Sequence, residues 1–227
     1  MARAVSVVIP TLNRLPMLKR CLQSLRDHAP DCTELIVVDG GSTDGTRDFL
    51  AEQKGVHTIL EDGPQGMVRA VNKGFRAADR EYTMWLNDDT VVMPYAIGNA
   101  VNFIWLPAHA DVGLVAFYHD TPVRRNVHAE ITVEDIVYRI LNIRGVPYAN
   151  FGLGPTDVFS RVGYADERYH TYGWDPDLSL KVWDAGMRVA GCPGALIRHF
   201  ETQDETRAAG SKAFKADNDK LFRKWGL

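Results

Sequence analysis

The chain has 227 residues, with 26 basic and 29 acidic side chains, a formal net charge of −3 at pH 7, and 45% hydrophobic residues. This length and apolar share predict one α/β domain with a continuous core over 1–227 and exclude a tandem array of small domains. The balanced charge offers no polybasic surface for nucleic acid, and no run of about 18 apolar residues is present to span a membrane.

The β-branched run 5–9 stops at Pro10 and reads as a strand, and Leu15, Leu18, Leu22 and Leu25 then recur at helical spacing over 15–28. The apolar run 34–39 predicts a second strand ending in Asp39, followed by the loop 40–45 and a short helix over 46–54. A third strand is expected over 56–60, a break at Gly63-Pro64-Gln65-Gly66, a helix over 67–78 and a fourth strand over 82–86. Strands and helices alternating at this spacing predict a mostly parallel central sheet flanked by helices. The second half is less regular. It suggests helices over 93–104 and 131–143, a strand over 112–118, a Gly- and aromatic-rich pocket wall over 150–172, a helix over 177–185 and a short strand over 188–190. Phe214, Leu221, Phe222 and Trp225 form one apolar stripe in a tail helix over 210–227, expected to dock on the body, with peripheral membrane contact as its other reading. Cys21, Cys32 and Cys192 lack the close pairing of a zinc or redox motif and read as reduced packing residues of a cytoplasmic protein.

Polar residues follow each of the first four strands: Thr11 and Asn13, Asp39, Glu61 and Asp62, then Asn87, Asp88 and Asp89. In a parallel sheet these all gather at one edge, where ligands bind. The doublet Asp88-Asp89 is the sharpest signal, because carboxylates fixed at a strand end are hard ligands for Mg²⁺ or Mn²⁺, ions commonly shared with a phosphate. His199, closing the short apolar run 195–198, is a candidate third ligand. There is no Walker-type phosphate loop, no Gly-x-Gly-x-x-Gly after the first strand and no Gly-x-Ser-x-Gly elbow, which argues against kinase, ATPase, dinucleotide oxidoreductase and covalent acyl chemistry.

Val8-Ile9-Pro10-Thr11-Leu12-Asn13-Arg14, Val37-Val38-Asp39-Gly40-Gly41-Ser42-Thr43-Asp44-Gly45-Thr46, Gly66 through Arg69 with Asn72 and Gly74, and Leu86-Asn87-Asp88-Asp89 closely resemble the family 2 inverting glycosyltransferases of the GT-A fold, in order and spacing. The later segments 162–167 and 172–178 resemble that family's acceptor-side region. The resemblance implies a single GT-A, Rossmann-like domain with a nucleotide-binding half over 1–105, an acceptor-binding half over 106–200 and a helical tail over 201–227. It implies that Pro10, Thr11, Asn13, Asp39, Arg69, Asn87 and Asp88 bind the donor, that Asp89 and His199 hold Mn²⁺ or Mg²⁺, that Gly152 and Trp174 face the acceptor, and that Asp175 is the general base. The donor so implied is a nucleotide sugar, UDP- or dTDP-linked in preference, and the acceptor a hydroxyl of a glycan, a lipid-linked intermediate or a small molecule. Asn87 stands where the family more often has an acid, and Trp174 replaces an acid before the base. A non-catalytic nucleotide-sugar binding protein is the alternative, followed by a sugar-phosphate nucleotidylyltransferase, which would need a Gly-rich basic loop where this chain has Pro10-Thr11-Leu12-Asn13.

Overall fold

A computed structural model describes residues 3–31, 33–200, 208 and 211–227. Strands β1 (Val5–Thr11), β2 (Thr33–Asp39), β3 (Val56–Leu60) and β4 (Tyr82–Trp85) alternate with helices α1 (Leu15–His28), α2 (Thr46–Ala51) and α3 (Met67–Ala77). β5 (Thr90–Val92), α4 (Ala96–Trp105) and β6 (Val112–His119) follow. An antiparallel set comes next, β7 (Val127–Val133), β8 (Ile136–Ile143) and β9 (Val146–Tyr148). β10 (Gly152–Pro155), α5 (Thr156–Arg161), α6 (Trp174–Asp184), β11 (Arg188–His199) and a C-terminal helix (Phe214–Trp225) complete the chain.

The main sheet runs β3-β2-β1-β4-β10-β6-β11-β5. β3, β2, β1 and β4 are mutually parallel, β10 runs against β4 and β6, β11 is parallel to β6, and β5 runs against β11. The carboxyl ends of β1, β2, β3, β4, β6 and β11 therefore share one edge. Side chains alternate between faces along a strand, so β1 sends Val5, Val7 and Ile9 into one apolar layer and Val8 into the other. The first layer is closed by Leu18, Leu22 and Leu25 of α1 with Ile97 and Ala100 of α4; the second by Val68, Val71 and Phe75 of α3 with Leu178 and Val182 of α6. Helices on both faces explain why the central strands read as unbroken apolar runs.

The helix expected over 131–143 is instead the β7–β8 hairpin. Its cause is local: Glu134 and Asp135 both take positive φ, 49° and 64°, which is a two-residue hairpin turn, and Ile131, Val133, Ile136 and Val137 are β-branched. The strand expected over 188–190 extends to His199, because β11 changes register along β6 and then pairs with β5. α6 begins three residues earlier than the apolar spacing suggested, at Trp174, because Gly173 with φ 73° ends the preceding loop.

The C-terminal helix docks as expected, through Leu221 and Trp225 of the predicted stripe, with Phe214 against Tyr172. Leu221 is buried, while Phe214 and Phe222 are about half exposed. Polar contacts supply the rest: the fully buried Asp217 accepts the backbone N–H groups of His170, Thr171 and Tyr172, and Trp225 and Lys224 meet the buried Asp177. The residues before it in the tail, 201–207, 209 and 210, and Cys32 lie outside the described residues. Cys21 and Cys192 are buried free thiols, and burial pushes the Cys21 thiol up to about 12. Among the described residues no helix is long and apolar enough to cross a membrane.

Candidate active site

At the shared strand edge lies a cavity of about 540 Å³. Pro10 and Thr11 reach it from the end of β1, Asn87, Asp88 and Asp89 from the loop after β4, Trp174 and Asp175 from the first turn of α6, and His199 from the end of β11. The antiparallel pairing of β11 with β5 sets His199 opposite Thr90, so a residue late in the chain arrives beside the Asp88-Asp89 doublet.

Asp88 and Asp89 are nearly inaccessible to solvent and differ in their partners. Asp88 accepts the Thr11 hydroxyl at 2.9 Å and Arg14 Nη1 at 2.8 Å. Burial pushes its carboxyl up to about 6; the Arg14 charge opposes this and the Asp89 charge adds to it. Asp89 meets the same Arg14 nitrogen at 3.1 Å and turns its other oxygen, Oδ1, to His199 Nε2 at 3.2 Å. That spacing is near the ~3.0 Å edge of an octahedron of oxygen and nitrogen ligands about 2.1 Å from a Mg²⁺-sized ion, and such ions are commonly held by one or two protein groups with water and phosphate completing the shell. The Asp89–His199 pair fits a divalent ion of this kind. Among the described residues no group of three or more His, Cys, Asp and Glu side chains is so placed.

Asp175, which lines the same cavity, sits in the first turn of α6, and Asn150 Nδ2 donates to its Oδ2 at 2.8 Å. Burial pushes this carboxyl up to about 7, against the smaller opposing effects of its own backbone N–H and of Asn150. A carboxylate that ionises near neutrality is suited to take a proton. Trp174 packs against Trp85 with ring centroids 5.6 Å apart, so it fills the core while lining the cavity.

The remaining expected site residues stand apart from the cavity lining. The Asp39 carboxylate is fully buried and occupied by the backbone N–H groups of Gly41 and Ser42 and by Arg47 Nε at 2.9 Å; Gly40, next in the chain, lines the cavity instead. Asn13, at φ 52°, accepts the Thr43 N–H at 2.7 Å and braces the same loop. Arg69 is half exposed, 3.7 Å from Glu167. Gly152 is buried under Trp85, where an added Cβ would lie 2.4 Å from the indole.

Among the cavity residues given no individual role in the sequence reading are Arg14, His119, Tyr148 and Asn150, the last of them inside the pocket wall expected over 150–172. Arg14 bridges the two acids; it closes the first of the motifs that carry the family resemblance, but no role was assigned to it. His119, at the end of β6, lies edge-on to Phe151 and 6.2 Å from the His199 ring, and burial holds it down at about 3. Asn150 and Tyr148 reach the site from the β9–β10 region, the part of the chain whose strands were not foreseen.

Comparison with known proteins bears on the family and the fold of the chain. Residues 6–166 match the family described as Glycosyl transferase family 2. The chain is 24% identical over 227 residues to the Uncharacterized glycosyltransferase YwdF of Bacillus subtilis (strain 168), covering 98% of this chain and 84% of that protein. It is 35% identical over 104 residues to a PGL/p-HBAD biosynthesis glycosyltransferase of Mycobacterium bovis (strain BCG / Pasteur 1173P2), covering 44% of this chain and 41% of that one. Among solved structures, the mannosyltransferase PcManGT of Pyrobaculum calidifontis, in complex with GDP-Man and Mn²⁺, superposes with a TM-score of 0.71 at 19% identity, covering 96% of this chain and 64% of the other. S. aureus TarS 1-349 in complex with UDP-GlcNAc gives 0.69 at 17%, covering 90% and 60%. The chain thus spans most of one relative and well under two thirds of the mycobacterial one. The fold matches that of GT-A glycosyltransferases.

Proposed function

Because this chain belongs to glycosyl transferase family 2, we propose that it moves a sugar from a nucleoside diphosphate sugar to an acceptor hydroxyl with inversion at the anomeric carbon. The observation that carries the proposal is that Asp175, with its carboxyl at about 7, and the Asp89–His199 pair open into one cavity.

Asp175 takes the acceptor hydroxyl's proton as that oxygen bonds to the anomeric carbon and the bond from carbon to the diphosphate oxygen breaks on the opposite face. In-line attack inverts the centre. Asp89 and His199 would hold Mn²⁺ or Mg²⁺, which when bound supplies Lewis-acid charge at the departing diphosphate. Arg14, between Asp88 and Asp89, fixes both carboxylates in their orientations and adds a cation at the same end of the cavity. Pro10, Thr11, Asn87 and Asp88 line the donor end; Asp39 and Asn13 act on the donor through the loop they hold, and Arg69 lies outside. Trp174 lines the acceptor side, with Gly152 seating the Trp85 beneath it. Apolar lining residues, among them Met67, Leu141 and Phe151, exclude water and so strengthen the charge interactions at the reacting centre. We take the donor to be a uridine or deoxythymidine diphosphate sugar.

The neighbours' complexes, one with GDP-Man and one with UDP-GlcNAc, span two bases and support a nucleotide sugar as the class. The test is release of nucleoside diphosphate from UDP-, dTDP- and GDP-sugars with and without Mn²⁺. A transferase consumes its donor slowly even with water as acceptor, and metal accelerates it. A protein that binds every such donor without consuming any would contradict the proposal.

A further inference from the structure

We propose that Asn150 is a positioning residue for Asp175: its amide points the carboxylate into the cavity and stabilises the charged form. The inference rests on the reading of Asp175 as the base. Asn150 and Asp175 are joined twice. Nδ2 donates to Asp175 Oδ2 at 2.8 Å, while Ser179 Oγ, fully buried, donates to the Asp175 carbonyl at 2.9 Å and accepts the Ala149 N–H at 3.1 Å. The Asn150 backbone carbonyl in turn accepts Trp85 Nε1 at 2.9 Å, which ties the main chain of this residue to β4, the strand that delivers Asp88 and Asp89. With the main chain at 149–150 fixed to β4 and to α6, the Asn150 amide is presented to the Asp175 carboxylate, and turning away would break its bond to Oδ2.

The groups around Asp175 leave this task to Asn150. Tyr148, from β9, is a phenol that burial keeps protonated, and it lies beside both residues. Asp177, two positions along α6, is turned to Lys224 and Trp225. Asp89, His119 and His199 line the cavity from the other strand ends. Among the described residues no cation is paired with Asp175, so of these Asn150 is the side chain that stabilises its charge. A structural amide would have both ends satisfied. Among the described residues nothing donates a hydrogen bond to the buried Asn150 Oδ1, which is costly for packing alone and leaves an acceptor atom for a ligand hydroxyl.

The test uses the full chain, ¹³C-labelled at aspartate and ¹⁵N-labelled, with Asp175→Asn to assign the carboxyl. In the unmutated protein the Asn150 side-chain NH₂ signals should titrate with the same midpoint as the Asp175 carboxyl, a readout that needs no variant to fold. In Asn150→Ala the Asp175 midpoint should rise by about one pH unit, and the acid limb of donor hydrolysis should move with it while nucleoside diphosphate binding with Mn²⁺ is unchanged. An Asn150 NH₂ signal indifferent to the Asp175 titration, or an unmoved midpoint in a folded Asn150→Ala, would overturn the inference. Retained hydrolysis in Asp175→Asn would instead sink the assignment of the base and leave the Asn150 coupling standing.

Discussion

His199 Nε2 and Asp89 Oδ1 face each other at 3.2 Å, brought together by the pairing of β11 with β5. If this pair holds the divalent ion, removing the imidazole weakens metal-dependent donor binding and little else. In His199→Ala the rise in melting temperature given by UDP, dTDP or GDP with Mn²⁺ should shrink to that seen without metal, since a ligand stabilises only by what it gains from the native state. An undiminished metal-dependent shift would remove His199 from the metal shell.

Turnover should depend on pH through Asp175. The base acts only when ionised, and burial raises its carboxyl from the usual carboxylate value to about 7. Donor consumption should therefore climb as pH rises through about 7 and fall roughly tenfold per unit on the acid side. A rate flat from pH 5 to 8 would mean that no group of this kind limits the reaction.

Asp217 offers a prediction about stability. Its fully buried carboxylate receives three backbone N–H groups of the 170–172 segment, the stretch that leads into Trp174 and Asp175. Asp217→Ala should cost about 2–3 kcal/mol, because charged hydrogen bonds are lost and buried donors are left unpaired. Urea unfolding would show it as a lower midpoint at unchanged slope. A loss below about 0.5 kcal/mol, the scale of an ordinary surface substitution, would mean that the C-terminal helix does not brace this loop.

Gly152 tests the link between packing and site. An added Cβ would lie 2.4 Å from the Trp85 indole, and Trp85 Nε1 holds the Asn150 carbonyl. Gly152→Ala should destabilise by about 1–3 kcal/mol through overpacking and slow donor consumption in the protein that remains folded. Wild-type melting temperature and rate together would show that the ring has room to shift.

The first half of the fold was legible because each strand is an apolar run ended by a polar residue and each helix carries a clear stripe; Val5–Thr11 and Leu15–His28 are read within a residue or two from such signals alone. The 127–148 strands were not, since the partly exposed β7 and β8 have apolar residues at spacings that also suit a helix, and the turn at Glu134-Asp135 with the β-branched residues beside it distinguishes them. At the site, Asp88, Asp89 and His199 stood out as strand-end residues, and Asp175 was singled out through the family resemblance. Arg14, within the first motif, and Asn150, at the start of the expected pocket wall, were given no role of their own, and His119 was not noticed, because what each side chain meets depends on pairings between distant strands. Asp39 shows the converse: a strong motif acid whose carboxylate is committed to its own loop.

The most direct measurement of the account's central claim compares Asp175→Asn with the unmutated protein in two assays on the same samples: nucleoside diphosphate affinity in Mn²⁺ by calorimetry, and donor turnover by nucleoside diphosphate release. The account predicts equal affinity and turnover reduced by about 10²-fold or more. Equal affinity with turnover within about twofold of the unmutated protein, less than the loss of a general base entails, would contradict it.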